Sequence, residues 1–302
     1  MKRPLRSVLI GDVDFYPSEF IFGVAQGMSM LGHWHTTVNV RHDISVIKQR
    51  VEAVQPDVIW GHMLLWAPGG SSKTEDLLDV CAKQRDRGAK VVIHDGDARD
   101  STRFPHDVSA CVDLALCNHL ADRSAWKVRQ ERWPYFAFCQ EQIADPVDEF
   151  RCALAFAGRL GAGIYAERST LVGWLQRLFG SGMKIYPTAD TPHTLFRTPE
   201  LAASADAVLG YGRPESKGWT DVRVFQYPGA GGVLWHDDAD EFLRAGEHYV
   251  KIPRAPTVDD INRAVEMTIQ HGNRIRHTAF AFMQENHSSL VRVQEALDWL
   301  GF

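Results

Sequence analysis

Short apolar runs alternate with amphipathic stretches along this chain, and that alternation restricts it to parallel sheets covered by helices on both faces. Ser7-Val8-Leu9-Ile10 reads as a buried strand, and residues 19–31 as a helix with Ser18 as N-cap and Gly32 as its stop. Residues 42–54 place Ile44, Ile47, Val51 and Val54 on one helical face, and Pro56-Asp57-Val58-Ile59-Trp60 supplies the next strand. The scheme repeats with a helix over 72–87 and strands over 90–94 and 112–117. It lapses over 131–150, where Trp133-Pro134 and Asp145-Pro146 fall among scattered acids, so the connection between domains is expected there. A second series then predicts strands over 152–157, 183–186, 207–211 and 232–235, with helices over 165–179, 199–204 and 220–227. After Pro256 the pattern is helical, over 258–272 and, with breaks, over 274–299.

The expected fold class is therefore α/β, with two doubly wound Rossmann-like domains, a cleft between them and a helical C-terminal tail. The expected boundaries are 1–150, 151–285 and a final helix over 286–302 that packs back on the first domain. A length of 302 residues allows two such cores. The apolar run near the start, Val8-Leu9-Ile10, is too short for a signal peptide or a membrane span, so a cytoplasmic protein is expected. Five cysteines without a Cys-x-x-Cys pair suggest neither a disulfide framework nor a thiolate zinc site. A net charge of -5 gives no general attraction to nucleic acid, although a local basic groove survives such an average.

Two segments of the second half carry candidate binding chemistry. Gly158-Arg159-Leu160-Gly161-Ala162-Gly163 lies between a strand and a helix, where glycines let the backbone approach a phosphate. It is not a dinucleotide fingerprint, and no Gly-Lys-Ser/Thr follows. As a plain alternative, it is a tight turn with a surface arginine. Further along, Arg213, Lys217 and Arg223 precede or open a helix that ends in Gly229-Ala230-Gly231-Gly232. Three cations there suit a departing diphosphate, the work a metal ion does elsewhere, with Gln226 one turn beyond Arg223. The plain alternative makes Arg223 and Gln226 solvated helix residues.

Together the two segments resemble the C-terminal domain of GT-B glycosyltransferases, in particular the spore-maturation (CgeB-like) branch of the group 1 transferases. The resemblance covers roughly residues 150–290. It rests on Gly158-Arg159-Leu160 followed by Tyr165 and Arg168, on the segment from Arg223-Val224-Phe225-Gln226 to Leu234, and on Glu241-Phe242-Leu243-Arg244-Ala245-Gly246-Glu247-His248. It implies a donor site at Gly158, Arg159, Gly161, Tyr165, Arg168, Tyr211, Arg213, Lys217, Arg223, Val224, Phe225 and Gln226. The sequence departs from the family at Gln226, where a ribose-binding glutamate is usual, and at the missing lysine after the Gly-Arg-Leu loop. Glutamine still accepts from one hydroxyl and donates to another.

In the first half, His94-Asp95-Gly96-Asp97 follows a predicted strand, where open α/β sheets place ligands. Asp95, Asp97 and then His94 are the candidates to take the acceptor's proton, against the plain reading of turn-forming acids. Asp12, Asp14, Tyr16 and His119 are candidates for the acceptor side. No histidine or acidic grouping has metal-ligand spacing, so no metal and no cofactor is expected, with the nucleotide-sugar as substrate. The function expected is sugar transfer from a nucleoside-diphosphate sugar, a UDP-sugar first among them, to a hydroxyl. Acceptors include a small metabolite, a protein and a hydroxymethylated DNA base. Arg99, Arg103, Phe104, Arg129, Arg132 and Trp133 are the aromatic and basic residues that would meet DNA. Two alternatives stay open: a catalytically inactive nucleotide- or sugar-binding module, and an NAD-dependent oxidoreductase.

Overall fold

The computed structural model describes residues 3–11, 19–62, 71–95, 110–118, 128–186, 197–211 and 221–302. They form two compact units, one of residues through Tyr135 together with Ser289–Phe302, the other Phe136–Ser288. The chain leaves the first unit before Phe136, within the 131–150 stretch, and returns to it for its last helix.

The first unit holds a six-stranded sheet in the order β2-β1-β3-β4-β5-β6, every pairing parallel. Its strands are β1 (Arg6–Gly11), β2 (Trp34–Asn39), β3 (Val58–His62), β4 (Lys90–Asp95), β5 (Leu114–Cys117) and β6 (Arg129–Arg132). The interior strands are near-continuous apolar runs because both faces are covered: Val8, Leu9, Ile10, Val58, Ile59, Trp60, Val91 and Val92 have no exposed surface. The helices are α1 (Glu19–Met30), α2 (Ile44–Val54) and α3 (Ser71–Asp86). Two edge strands escape the sequence pattern. In β2 one residue is exposed and three are half-buried, and β6 reads Arg-Gln-Glu-Arg, so neither has an apolar run to signal it.

The second unit holds a five-stranded parallel sheet, β11-β10-β9-β7-β8. Its strands are β7 (Cys152–Ala157), β8 (Met183–Tyr186), β9 (Ala205–Leu209), β10 (Leu234–His236) and β11 (Val250–Lys251). They are joined by helices α4 (Ala166–Phe179), α5 (Thr198–Ser204) and α6 (Arg223–Gly229). Then follows α7 (Val258–His287), opened by a capping box in which Thr257 and Asp260 satisfy each other's backbone N–H groups. The expected break at Gly272 does not occur. Gly272 is buried within α7, facing Val233, and the helix continues to His287 before a separate helix, α8 (Ser289–Leu300).

In both sheets the first strand has neighbours that leave it in opposite directions, so the chain reverses its winding beside β1 and beside β7. Ligands of open α/β sheets bind at the carboxyl ends of strands at such points. The final helix is part of the first unit's packing: Trp133 Nε1 donates to Arg292 O at 3.1 Å and Arg129 Nη1 to Trp299 O at 2.7 Å. It lies so close to α1 that a Cβ on Gly27 would stand 2.7 Å from both Ser289 O and Val293 Cγ2. Gly27→Ala is therefore expected to lower stability by about 1–3 kcal/mol. Urea denaturation reads the change, and an unaltered midpoint would show that α8 does not pack there.

Candidate functional site

In the second unit, the strand ends β7, β9 and β10 carry an ordered set of polar residues around two glycines. β7 is followed by Gly158, and the turn through Gly161 and Gly163 takes φ of 151° and 65°, which only glycine adopts without strain. Ser169 on α4 fastens the turn: Gly161 N donates to its Oγ at 2.8 Å, and that Oγ lies 2.9 Å from the carbonyls of Gly161 and Tyr165. Arg168 is buried, and donates from Nη1 to Arg159 O at 3.3 Å and from Nη2 to Tyr211 O at 2.7 Å. It thereby ties the segment after β7 to the one after β9.

Arg223 occupies the space that Gly158 leaves. A Cβ on Gly158 would stand 2.3 Å from Arg223 Nη2 and 2.9 Å from the Phe156 ring. Arg223 Nε donates to Ala157 O at 2.9 Å, and Nη1 lies 2.9 Å from both oxygens of Asp221, which is fully buried. Burial works to raise the Asp221 carboxyl, but the Arg223 charge and backbone N–H, with Arg168 and His236, hold it below the ordinary carboxylate value. Beyond them, Arg254 pairs with Asp237 at 2.8 Å and Glu167 at 3.2 Å and lies over the Tyr211 ring at 4.7 Å.

His236 ends β10 with its ring against Gly210, where a Cβ would stand 2.7 Å from its Cδ2. Asp238 N donates to His236 Nδ1 at 3.0 Å. That bond puts the proton of the neutral ring on Nε2, which is buried with no hydrogen-bond partner among the described residues. Burial keeps the ring's pKa below its usual value, against the pull of Asp237 and Asp221. Gly158 N is taken by Tyr186 O at 3.0 Å and Gly161 N by Ser169 Oγ, so the donors here suited to an anionic oxygen are the amides of the turn's other residues and the exposed side chain of Arg159.

Of the donor-side residues read from the sequence, Gly158, Arg159, Gly161, Tyr165, Arg168, Tyr211 and Arg223 come together here. Val224 and Phe225 lie in the core, Phe225 packed on Phe242 with ring centroids 5.1 Å apart, so side-chain contact with a ligand is closed to them. Gln226 is buried on the same short helix. Arg213 and Lys217 lie outside the described residues. Sequence reasoning passed over Asp221, His236, Glu167, Ser169 and Arg254. An acid two residues before Arg223 and a lone histidine closing an apolar strand were the only signals available.

In the first unit the carboxyl ends of β3 and β4 bring His62 and His94 together in register, with Nδ1 atoms 3.0 Å apart. Phe20 stacks on both rings, at 4.3 Å from His94 and 5.3 Å from His62. His62 was not singled out in the sequence. The backbone of Asp95 closes β4, while its side chain and Asp97, Asp12, Asp14, Tyr16 and His119 lie outside the described residues, as do Arg99, Arg103 and Phe104. Trp133 corrects one expectation: it is fully buried and bonded to Arg292 O, so it offers no stacking face to a nucleic acid. Arg129 is exposed and pairs with Glu131 at 2.8 Å. Among the described residues no three His, Cys, Asp or Glu side chains are grouped to hold a metal, and no helix is long and apolar enough to cross a membrane.

No protein-family model matches the sequence, and a search of curated proteins finds no match. Solved structures do match over nearly the whole chain. The apo lipopolysaccharide outer core galactosyltransferase WaaB aligns at a TM-score of 0.53 and 9% identity over 98% of this chain and 99% of that one. SnogD, a glycosyltransferase from Streptomyces nogalater, gives 0.53 and 11%, over 99% and 100%. The spinosyn forosaminyltransferase SpnP gives 0.51 and 12%, over 99% of each chain. These likenesses show the fold, which is that of the two-domain GT-B glycosyltransferases.

Two measurements probe these sites as built. Asp221→Ala leaves the nearly buried Arg223 without its carboxylate and is expected to cost about 3 kcal/mol in urea denaturation. A loss near zero would mean the pair is solvated. Burial also pushes His62 down to about 4 and His94 well below 6.5, so unfolding takes up protons in this range. Stability is then full above pH 6.5 and falls as pH drops toward 4, at up to about 1.4 kcal/mol per pH unit for each ring and less for the partly exposed His62. The fall should be shallower in His94→Phe, and an equal fall in both proteins would contradict the assignment.

Proposed function

We propose that the chain transfers a sugar from a nucleoside-diphosphate sugar, a UDP-sugar first among them, to an acceptor hydroxyl, with protein cations and no metal balancing the diphosphate. The observation that carries this reading is the glycine turn after β7, fastened by Ser169, Arg168 and Arg223 beside the point where the second sheet reverses its winding. GT-B architecture and the likeness of residues 150–290 to the CgeB-like branch support it. No cofactor enters this reading.

The geometry divides the work among the cations. Arg223 spends Nε and Nη1 on Ala157 and Asp221, so its first task is to hold the turn, and its remaining charge adds to the field of Arg168. Direct phosphate contacts then fall to the turn amides and Arg159, with Arg213 and Lys217 as further cations in the proposal. Donors already in place for the leaving oxygen lower the barrier without reorganising as the sugar–phosphate bond breaks. On the acceptor side, Asp95 and Asp97 are the first proposed proton acceptors and His94, whose protonation burial opposes, the third, with Asp12, Asp14, Tyr16 and His119 proposed to line the same side. A hydroxymethylated DNA base stays among the proposed acceptors. Gln226, in place of the usual glutamate, favours a second reading in which the site binds a nucleotide-sugar without transferring it.

Thermal unfolding against UDP, GDP, ADP, CMP and NAD, with and without EDTA, tests donor binding, since a ligand of the native state raises the midpoint. One nucleoside diphosphate should raise it irrespective of EDTA, and Gly158→Val should abolish the rise. Release of that diphosphate from its sugar conjugate should fall on the order of 10²-fold in Arg159→Ala, with the midpoint of the free protein unchanged. A response to NAD alone, or an unaffected Gly158→Val, would overturn the proposal. Binding without turnover for any acceptor would select the second reading.

A further inference from the structure

The imidazole pair in the first unit has a chemistry of its own. His62 and His94 are the in-register partners of β3 and β4, and β3 lies directly beside β1, where the first sheet reverses its winding. Their Nδ1 atoms are 3.0 Å apart and their rings 5.2 Å apart at 24°. One hydrogen bond between two Nδ1 atoms requires a single proton. The ring that donates it carries a lone pair on its outer Nε2, and the ring that accepts it carries an N–H there. The pair therefore offers one acceptor and one donor at its two outer nitrogens.

Both rings stay uncharged. Phe20 stacks on both, the Trp133 ring meets His94 edge-on at 5.7 Å, and Tyr135 does the same at 5.7 Å. That apolar wall opposes protonation of either ring. Nε2 of His94 is buried and has no hydrogen-bond partner among the described residues, a vacancy that costs about 1–3 kcal/mol unless a ligand fills it. A carboxylate or phosphate would meet one donor and one lone pair here and no charge from the neutral pair. A hydroxyl both donates and accepts, so it fits either direction of the shared proton.

We infer that the paired imidazoles of His62 and His94 form a recognition point for a hydroxyl of an uncharged, polyhydroxylated ligand at the carboxyl edge of the first sheet. His62 is the partly exposed member, on which a ligand arrives, and His94 fixes the direction of the shared proton. That this hydroxyl belongs to the sugar acceptor rests on the proposed transferase reading, while the hydroxyl site itself stands on the pair.

The test is long-range proton–nitrogen NMR of the full chain with labelled histidine, which reads the proton on each ring nitrogen. One of the two Nδ1 atoms should be protonated and the other not. Glycerol or methyl glucopyranoside should shift the outer nitrogens of both rings, and inorganic phosphate and acetate should not. His62→Phe should remove the polyol response of His94 while keeping the thermal response to a nucleoside diphosphate. His62→Gln, whose amide still donates and accepts, should retain part of the polyol response and serves if the phenylalanine variant fails to fold. Rings indifferent to both polyols, responsive to phosphate, or stripped of the shared proton by Zn²⁺ would overturn the inference. Loss of the nucleotide response with the polyol response intact would count against the transferase reading alone.

Discussion

The second unit depends on one contact, the guanidinium of Arg223 lying where a side chain on residue 158 would be. That placement requires glycine at 158, a carbonyl at Ala157 to accept from Nε, and a buried carboxylate at Asp221 to balance the charge. A buried pair of this kind is costly to assemble and more costly to break. Its return is positional: α6 is drawn onto the end of β7, and the turn after β7 keeps its backbone uncovered. Arg168 makes the matching link from α4 to the segments after β7 and β9. Two arginines that a sequence reader assigns to a ligand are thus, first of all, the fasteners of the loops that would meet it.

The parallel sheets were legible because their strands are buried on both faces and stand out as apolar runs between helices. What escaped was what burial does not mark. β2 and β6 are edge strands with polar or half-buried residues, and β11 has only two residues. Gly272 read as a stop because glycine usually ends helices, but packing against Val233 keeps α7 continuous. The chain passes between the units at Tyr135 and Phe136, in the stretch where the apolar rhythm lapses and just after Trp133, which is bonded to the carbonyl of Arg292.

For the site, glycines and cations were visible because their spacing is local. Partners that gain their role only through folded contacts were not. Asp221 acquires meaning only beside Arg223's guanidinium, His236 only when β10 sets its ring over Gly210, and His62 only when β3 and β4 align it with His94. Each is a polar residue whose role follows from a spatial neighbour, and that dependence leaves at most a faint signal in a single sequence. The two units nonetheless repeat one arrangement, with polar side chains at the carboxyl ends of parallel strands where the winding reverses. The second unit gathers charge and the first keeps its histidines neutral, a division that suits an anionic leaving group and an uncharged nucleophile.

The proposed sugar transfer turns on whether the loop after β7 receives a diphosphate. A crystal structure of the chain soaked with UDP tests it most directly. Phosphate oxygens are expected within about 2.7–3.2 Å of backbone amides in the turn over 159–163, with Gly161 N still on Ser169 Oγ and Arg223 still paired to Asp221. A nucleotide bound elsewhere, or one that draws Arg223 out of its place against Gly158, would contradict it.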